Sequence, residues 1–262
     1  MKHSLSVSLL LVGLFVLAQV VGLFVVQGYA SQSLPLGLQP PALDPDTSFI
    51  SLLGTVIVLS LVVWLLMRFR FGFLWKFWFF ISLTLVLTVA LAAFLPELWA
   101  LGVAVVLALL KLYRHSVFWH NLPEMLLYGG LAAVFAPVFS LLSLVFLLIL
   151  IAVYDAVAVW KTKHMVSLAK MQLKERLFAG LLIPYGKKKS ALLGGGDIAF
   201  PLLANAVLLR EFGGVAAVIG VVFAAGALWL LLWLSEKNKF YPAMVFLSVG
   251  SLLAIGLSWL FV

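Results

Sequence analysis

The chain has 262 residues, of which 65% are apolar and only 10% charged, with 17 Lys and Arg against 9 Asp and Glu for a formal net charge of +8. Ordinary soluble domains carry roughly 25% charged residues, and a soluble fold of this length would present one continuous apolar patch to water. A soluble globular protein is therefore excluded, as is intrinsic disorder. The chain has no cysteine, which excludes disulfides and thiolate metal sites, and its four scattered His residues lack ligand spacing, so neither a metal nor a cofactor is expected.

A hydrocarbon core about 30 Å thick takes roughly 20 helical residues to cross. The first candidate span, Leu5 to Val26, runs toward Gly28-Tyr29-Ala30, which looks like a small-residue cleavage site. Its apolar run exceeds the roughly 7–15 residues of a signal peptide, so it reads as a retained span. Gly28 to Thr47, rich in Pro, Gly and Gln and carrying Asp44 and Asp46, is a loop. Ser48 to Met67 and Phe77 to Leu95 are the second and third spans. Leu98 to Leu110 and Met125 to Ala136, the fourth and fifth, are short as drawn and are expected to extend into the sequence between them. From Met125 to Trp160 the chain is almost uninterruptedly apolar, too long for one crossing and just enough for two. It divides at Pro137, which suits a tight turn or a helix start, giving a sixth span from Val138 to Trp160. Trp160 to Lys189 is the largest soluble element. Ser190 to Leu209, Gly213 to Leu234 and Pro242 to Phe261 complete a set of nine.

Basic residues mark the cytoplasmic side of a membrane protein. With the N-terminus in the cytoplasm and the spans alternating, the inner segments hold all of the 17 basic residues except Arg210. The opposite orientation breaks the rule almost everywhere, and omitting the division at Pro137 scatters the second half. The expected fold is thus an all-α polytopic membrane protein of nine helices, N-terminus inside and C-terminus outside. It forms one transmembrane domain: spans over about 5–160, a basic cytoplasmic loop over about 161–189, and spans over about 190–261. The basic loops are read as topology and attraction to anionic lipid rather than as a nucleic-acid surface.

Two acids, Asp155 and Asp197, are not placed in loops or at span ends. A carboxylate at membrane depth costs several kcal/mol unless paired, protonated or wetted, and points to function. No Lys or Arg lies within the apolar stretches to neutralise them. Asp155 precedes Lys161, the first basic residue of the inner loop, by about 9 Å of helix rise, and Asp197 follows Lys189 by about 12 Å. Two carboxyls at matched depth on antiparallel spans can face each other, and close together in a low-dielectric site they would share one proton. One then serves as base toward a water and the other as acid, the logic of aspartic proteases. The bland alternative is two protonated side chains bonded to helix backbone.

Gly194-Gly195-Gly196 immediately precedes Asp197, and Pro201 removes the donor that would reach its carbonyl. These glycines serve either close helix packing or a loosened helix that admits water and an extended substrate segment. Pro242-Ala243-Met244 opens the ninth span just beneath the same face, where a proline near the first turn is otherwise ordinary.

Taken together, these residues resemble the presenilin and signal-peptide-peptidase family of intramembrane aspartyl proteases. That family has nine spans, a Tyr-Asp motif in the sixth, Gly-x-Gly-Asp in the seventh and Pro-Ala-Leu at the ninth. Here Tyr154-Asp155, Gly194-Gly195-Gly196-Asp197 and Pro242-Ala243-Met244 fall at those places, and the stretches Tyr154 to Ala169 and Gly196 to Pro201 look particularly similar. Met244 departs from the family's Leu but is apolar and of similar volume. The resemblance implies catalytic Asp155 and Asp197, with Tyr154, the three glycines and Pro242 to Met244 shaping the site or holding substrate. It also implies a compact microbial member in the plasma membrane, acting on transmembrane-helix substrates without accessory subunits. Oligomeric state stays open, a homo-oligomer included. Two other classes remain to be weighed. A proton-coupled transporter also uses intramembrane carboxylates, but no inverted repeat is visible. A prepilin-type peptidase shares Gly-x-Gly-Asp, and the Tyr-Asp and Pro-Ala motifs count against it.

Overall fold

The computed structural model describes residues 4–68, 72–114, 116–161, 178–185, 189–236 and 241–261. Among them are nine α-helices and one two-stranded antiparallel hairpin. In chain order they are α1 (Leu5–Gly28), α2 (Ser48–Arg68), α3 (Gly72–Ala92), α4 (Glu97–Tyr113), α5 (Val117–Phe135), α6 (Leu141–Ala156), β1 (Gly180–Tyr185), β2 (Lys189–Gly194), α7 (Gly195–Phe212), α8 (Gly214–Leu234) and α9 (Ala243–Ser258). Four helical segments, Leu5–Gly28, Ser48–Leu65, Leu141–Lys161 and Gly214–Leu234, are long and apolar enough to cross a membrane, and Lys76–Ala92 and Ala243–Ser258 are shorter apolar helices.

Helix dominates because hydrocarbon offers no partners for backbone N–H and C=O groups, so each segment must satisfy its own. The fourth and fifth apolar segments extend toward each other, as α4 and α5. The long apolar stretch breaks at a 3-10 turn, Ala136–Val138, that contains Pro137, and Ser140 caps α6 by accepting from the Ser143 N–H at 3.2 Å. Arg210, the one basic residue outside the expected inner segments, is explained by this turn. Its guanidinium donates to the carbonyls of Ala136 and Phe139, each at 2.5 Å, and pairs with Glu211 at 2.7 Å.

The hairpin corrects the all-α expectation. Residues 189–194 form β2 rather than the start of a helix, and α7 begins at Gly195 instead of Ser190. Leu181, Ile183, Ala191 and Leu193 are buried, the alternate residues of both strands. That period of two is what a strand needs to seat one face in a core.

The innermost helix is α7, with Ile198 and every residue from Pro201 to Leu208 buried. Glycines on α1 and α5 bring those helices into backbone contact: a Cβ on Gly129 would lie 2.9 Å from the Gly22 Cα. Two buried amides join α1 to α7. Gln19 Nε2 donates to the Ile198 carbonyl at 3.0 Å, and Asn205 Nδ2 donates to Gln19 Oε1 at 3.0 Å. By contrast α2 is peripheral; of its described residues only Ser48 is buried, and the Ser48 and Ser143 hydroxyls bond at 2.8 Å to tie it to α6.

Candidate active site

Asp155 lies in the last turn of α6, where the α-helix gives way to a π-helical turn, Val157–Lys161. Such turns are rare and often accompany functional sites. Tyr154 precedes it in the same turn, and both side chains are half-buried. Asp155 is held from a distant element: the Met244 N–H donates to Asp155 Oδ2 at 3.0 Å. Pro242 is the N-cap of α9, and Pro242, Ala243 and Met244 are all buried. The first N–H groups of a helix have no partner within it, and here one of them points at a carboxylate. The Pro-Ala-Met segment is therefore in contact with Asp155, which an ordinary helix start would not require.

Asp197 is placed by a strand-to-helix junction. The strands pair with Gly180 opposite Gly194, Leu181 opposite Leu193 and Ile183 opposite Ala191. Gly194 ends β2 in an extended conformation and is the N-cap of α7. Its N–H donates to Asp197 Oδ2 at 3.2 Å, the reciprocal half of a capping box. The three glycines divide between two elements: Gly194 is strand, while Gly195 and Gly196 form the first turn of α7. The junction needs glycine at two points. Gly180 has φ +145°, and a Cβ there would meet the Leu193 carbonyl oxygen at 2.2 Å. A Cβ on Gly195 would lie 3.0 Å from the Tyr128 hydroxyl and 3.3 Å from the Ala179 carbonyl oxygen.

Asp155 ends α6 and Asp197 opens α7, and these two helices are in contact, which puts both carboxyls at one end of the same helix pair. Each has Oδ2 fixed by a backbone N–H, and among the described residues neither Oδ1 has a hydrogen-bond partner. Two half-buried carboxyls, oriented by backbone and each with one oxygen left over, can bind a water and exchange a proton across it. Residues 162–177, which include Lys163 and His164 and the second half of the stretch from Tyr154 to Ala169, lie outside the described residues, as does Lys239.

Sequence reasoning missed a polar cluster beside this site. Glu124 was placed at a span end, but α5 begins at Val117 and carries Glu124 to a fully buried position. Its carboxylate takes a salt bridge from Lys111 on α4, a hydrogen bond from the Tyr128 hydroxyl, and the Gly180 N–H at 2.9 Å. Asn121 bonds both backbone groups of Leu182, Nδ2 donating to the carbonyl at 2.8 Å and Oδ1 accepting from the N–H at 3.0 Å. His120 Nε2 lies 3.0 Å from the Gly180 carbonyl oxygen. The available signal was the spacing of His120, Asn121, Glu124 and Tyr128, which share one helical face.

The family model described as signal-peptide peptidase, presenilin aspartyl protease matches residues 12–261 of this chain. Two solved structures share its fold, both of a presenilin family intramembrane aspartate protease. The one in space group C222 superposes with a TM-score of 0.72 at 20% identity, covering 97% of this chain and 99% of that one. The one in space group P2 gives 0.68 at 21% identity, covering 96% and 97%. No curated protein sequence matches the chain at a significant level. With a match that runs through both aspartates and from α1 past the end of α9, the chain belongs to the signal-peptide peptidase and presenilin aspartyl protease family.

Proposed function

We propose that this chain is an intramembrane aspartyl endopeptidase of the Gly-x-Gly-Asp type, hydrolysing peptide bonds within the transmembrane helices of membrane proteins or signal-peptide remnants. The observation that carries the reading is the pair Asp155 and Asp197 on adjacent elements, each oriented through Oδ2 by a backbone N–H. One carboxylate takes a proton from water as its oxygen attacks the scissile carbonyl carbon. The other carboxyl, protonated, gives its proton to the carbonyl oxygen. Collapse of the tetrahedral intermediate breaks the C–N bond, and the amine leaves with a proton from the dyad.

A helical peptide bond is shielded, so the substrate must unwind locally and present an extended segment. The β1 and α5 bonds occupy one side of the hairpin, and among the described residues none pairs with the outer edge of β2 at Leu192. An open strand edge is a template for strand addition, so the substrate strand lies between β2 with its glycine junction and the Pro242 to Met244 segment. Tyr154 helps to position the dyad.

In this reading all nine helices span the plasma membrane of a microbe, with the N-terminus inside and the C-terminus outside. The substrate helix has its N-terminus outside. Family membership favours neither a transporter nor a prepilin-type peptidase. The deciding experiment reconstitutes the full chain with a panel of transmembrane-helix substrates and identifies products by mass spectrometry. Wild type should cleave within the helix, while Asp155→Asn and Asp197→Asn should each be folded and inactive. Full activity in either variant would refute the assignment.

A further inference from the structure

The proteolytic reading uses Asp155 and Asp197 and leaves unexplained a second set of ionisable groups buried beside them. Lys111 and Glu124 both have fully buried side chains, and the Lys111 ammonium also lies 5.6 Å from the centre of the Phe79 ring. An ion pair in a low-dielectric interior regains its desolvation cost only with good geometry and further hydrogen bonds, and an apolar pair of similar volume would often be at least as stable. Stability alone is thus a poor reason for Glu124. Its bonds suggest another. Besides Lys111, the groups that Glu124 binds among the described residues belong to the site's framework: the Tyr128 hydroxyl and the Gly180 N–H.

Alternate residues of a strand direct their backbone groups to the same edge. Gly180 and Leu182 are alternate residues of β1, and α5 side chains bond the N–H and C=O of both. Leu181 and Ile183 lie opposite Leu193 and Ala191 of β2. The α5 face therefore stands where a third strand would be, and it bonds β1 in one register. The far end of the same face reaches the catalytic junction. The Tyr128 hydroxyl lies against Gly195, whose N–H donates to the Ala179 carbonyl at 3.0 Å, two residues before Asp197.

We propose that His120, Asn121, Glu124 and Tyr128 form a side-chain rack on α5 that fixes the register of the hairpin, and that Glu124 with Tyr128 sets the position of Gly195 and hence of Asp197 relative to Asp155. These are positioning residues: none of them reaches the scissile bond, and each acts through the backbone of β1 or the glycine junction. Because the substrate strand would add to β2, the rack also determines which peptide bond faces the dyad. The proposal rests on the proteolytic reading and adds to it the origin of cleavage-site choice.

The test compares wild type with Tyr128→Phe, which removes the hydroxyl and keeps the ring, in the reconstituted full chain on one transmembrane-helix substrate. Misplacing a reacting group by about 1 Å costs roughly 100-fold in rate, so kcat should fall by about tenfold or more with KM within about twofold. The product masses should also shift to bonds other than those cut by wild type. Wild-type kcat and wild-type products would overturn the proposal. So would a fall in kcat with unchanged product ratios, which a merely structural role would give. If Tyr128→Phe lacks a cooperative unfolding transition, the double variant Lys111→Met with Glu124→Gln, which removes both buried charges together, is read by the same criteria. Should wild type itself yield no cleavage that depends on Asp155 and Asp197, the proteolytic reading fails first, and the two failures are thereby distinguished.

Discussion

The Met244 N–H and Asp155 Oδ2 are 3.0 Å apart although the residues are separated by 89 positions in the chain. The opening of α9 is thereby part of the dyad's immediate surroundings. The bond comes from backbone, so it places no demand on the side chain at 244 beyond filling a buried apolar space.

That separation of roles gives the first prediction. Met244→Leu, a swap of similar volume, should retain activity within a few-fold and stability within about 1.5 kcal/mol. Met244→Pro keeps a residue tolerated in a first helical turn but deletes the donor. Loss of one preorganised donor at a catalytic centre costs on the order of 100-fold in kcat, and a loss of that size is expected because this donor orients the Asp155 carboxyl through Oδ2. Steady-state kinetics on both variants checks the contrast; equal activity would mean that the bond is incidental.

A second prediction concerns the glycines, which are not equivalent. A Cβ on Gly196 would make only ordinary contact, 3.6 Å from the Phe200 ring, whereas one on Gly180 would collide with the Leu193 carbonyl at a φ of +145°. Gly180→Ala should therefore destabilise the fold by roughly 1–3 kcal/mol. Gly196→Ala, in the first turn of a helix, should leave stability unchanged or raise it slightly, since alanine is the better helix former by about 1 kcal/mol. Unfolding of the purified variants in mixed micelles separates the two.

What could be read from the sequence, and what could not, follows from the solvent. Asp155 and Asp197 stood out because hydrocarbon makes an unpaired carboxylate conspicuous, and the break at Pro137 because no single helix fits that apolar length. The hairpin did not stand out. Leu181 and Leu182, like Leu192 and Leu193, are the same residue on opposite faces, so the period of two that betrays a strand in water is absent. Glu124 was hidden by a boundary drawn at Met125. The turn before it, with His120 and Asn121, looks like a polar loop until β1 is present to receive its hydrogen bonds. The role of Pro242 to Met244 as a support for Asp155 depends on tertiary approach, which spacing along the chain does not encode.

Arg210 supplies a third prediction. Its two bonds to the Ala136 and Phe139 carbonyls hold the turn that separates α5 from α6. Arg210→Met leaves both carbonyls without that donor and should cost about 2 kcal/mol of stability. Arg210→Lys should recover only part of it, because an ammonium cannot span two carbonyls as the guanidinium fork does. A drop in unfolding midpoint for Met and an intermediate value for Lys are expected; a fully restored Lys variant would show that charge alone matters here.

The last prediction turns the buried Lys111–Glu124 pair into a thermodynamic cycle. Removing one partner strands the other charge in the interior, at a cost of about 3–5 kcal/mol. Lys111→Met and Glu124→Gln should each be destabilised on that scale. Combined, they remove both charges, and the double variant should be far more stable than the two losses added together would allow. The readout is the free energy of unfolding of all four proteins at one detergent composition. Strict additivity would mean that the two charges do not sense each other in the membrane-embedded protein. Strong coupling, together with near wild-type stability in the double variant, would locate the reason for the pair outside stability. It would leave the geometry of β1, and of the glycine junction that carries Asp197, as what the charges maintain.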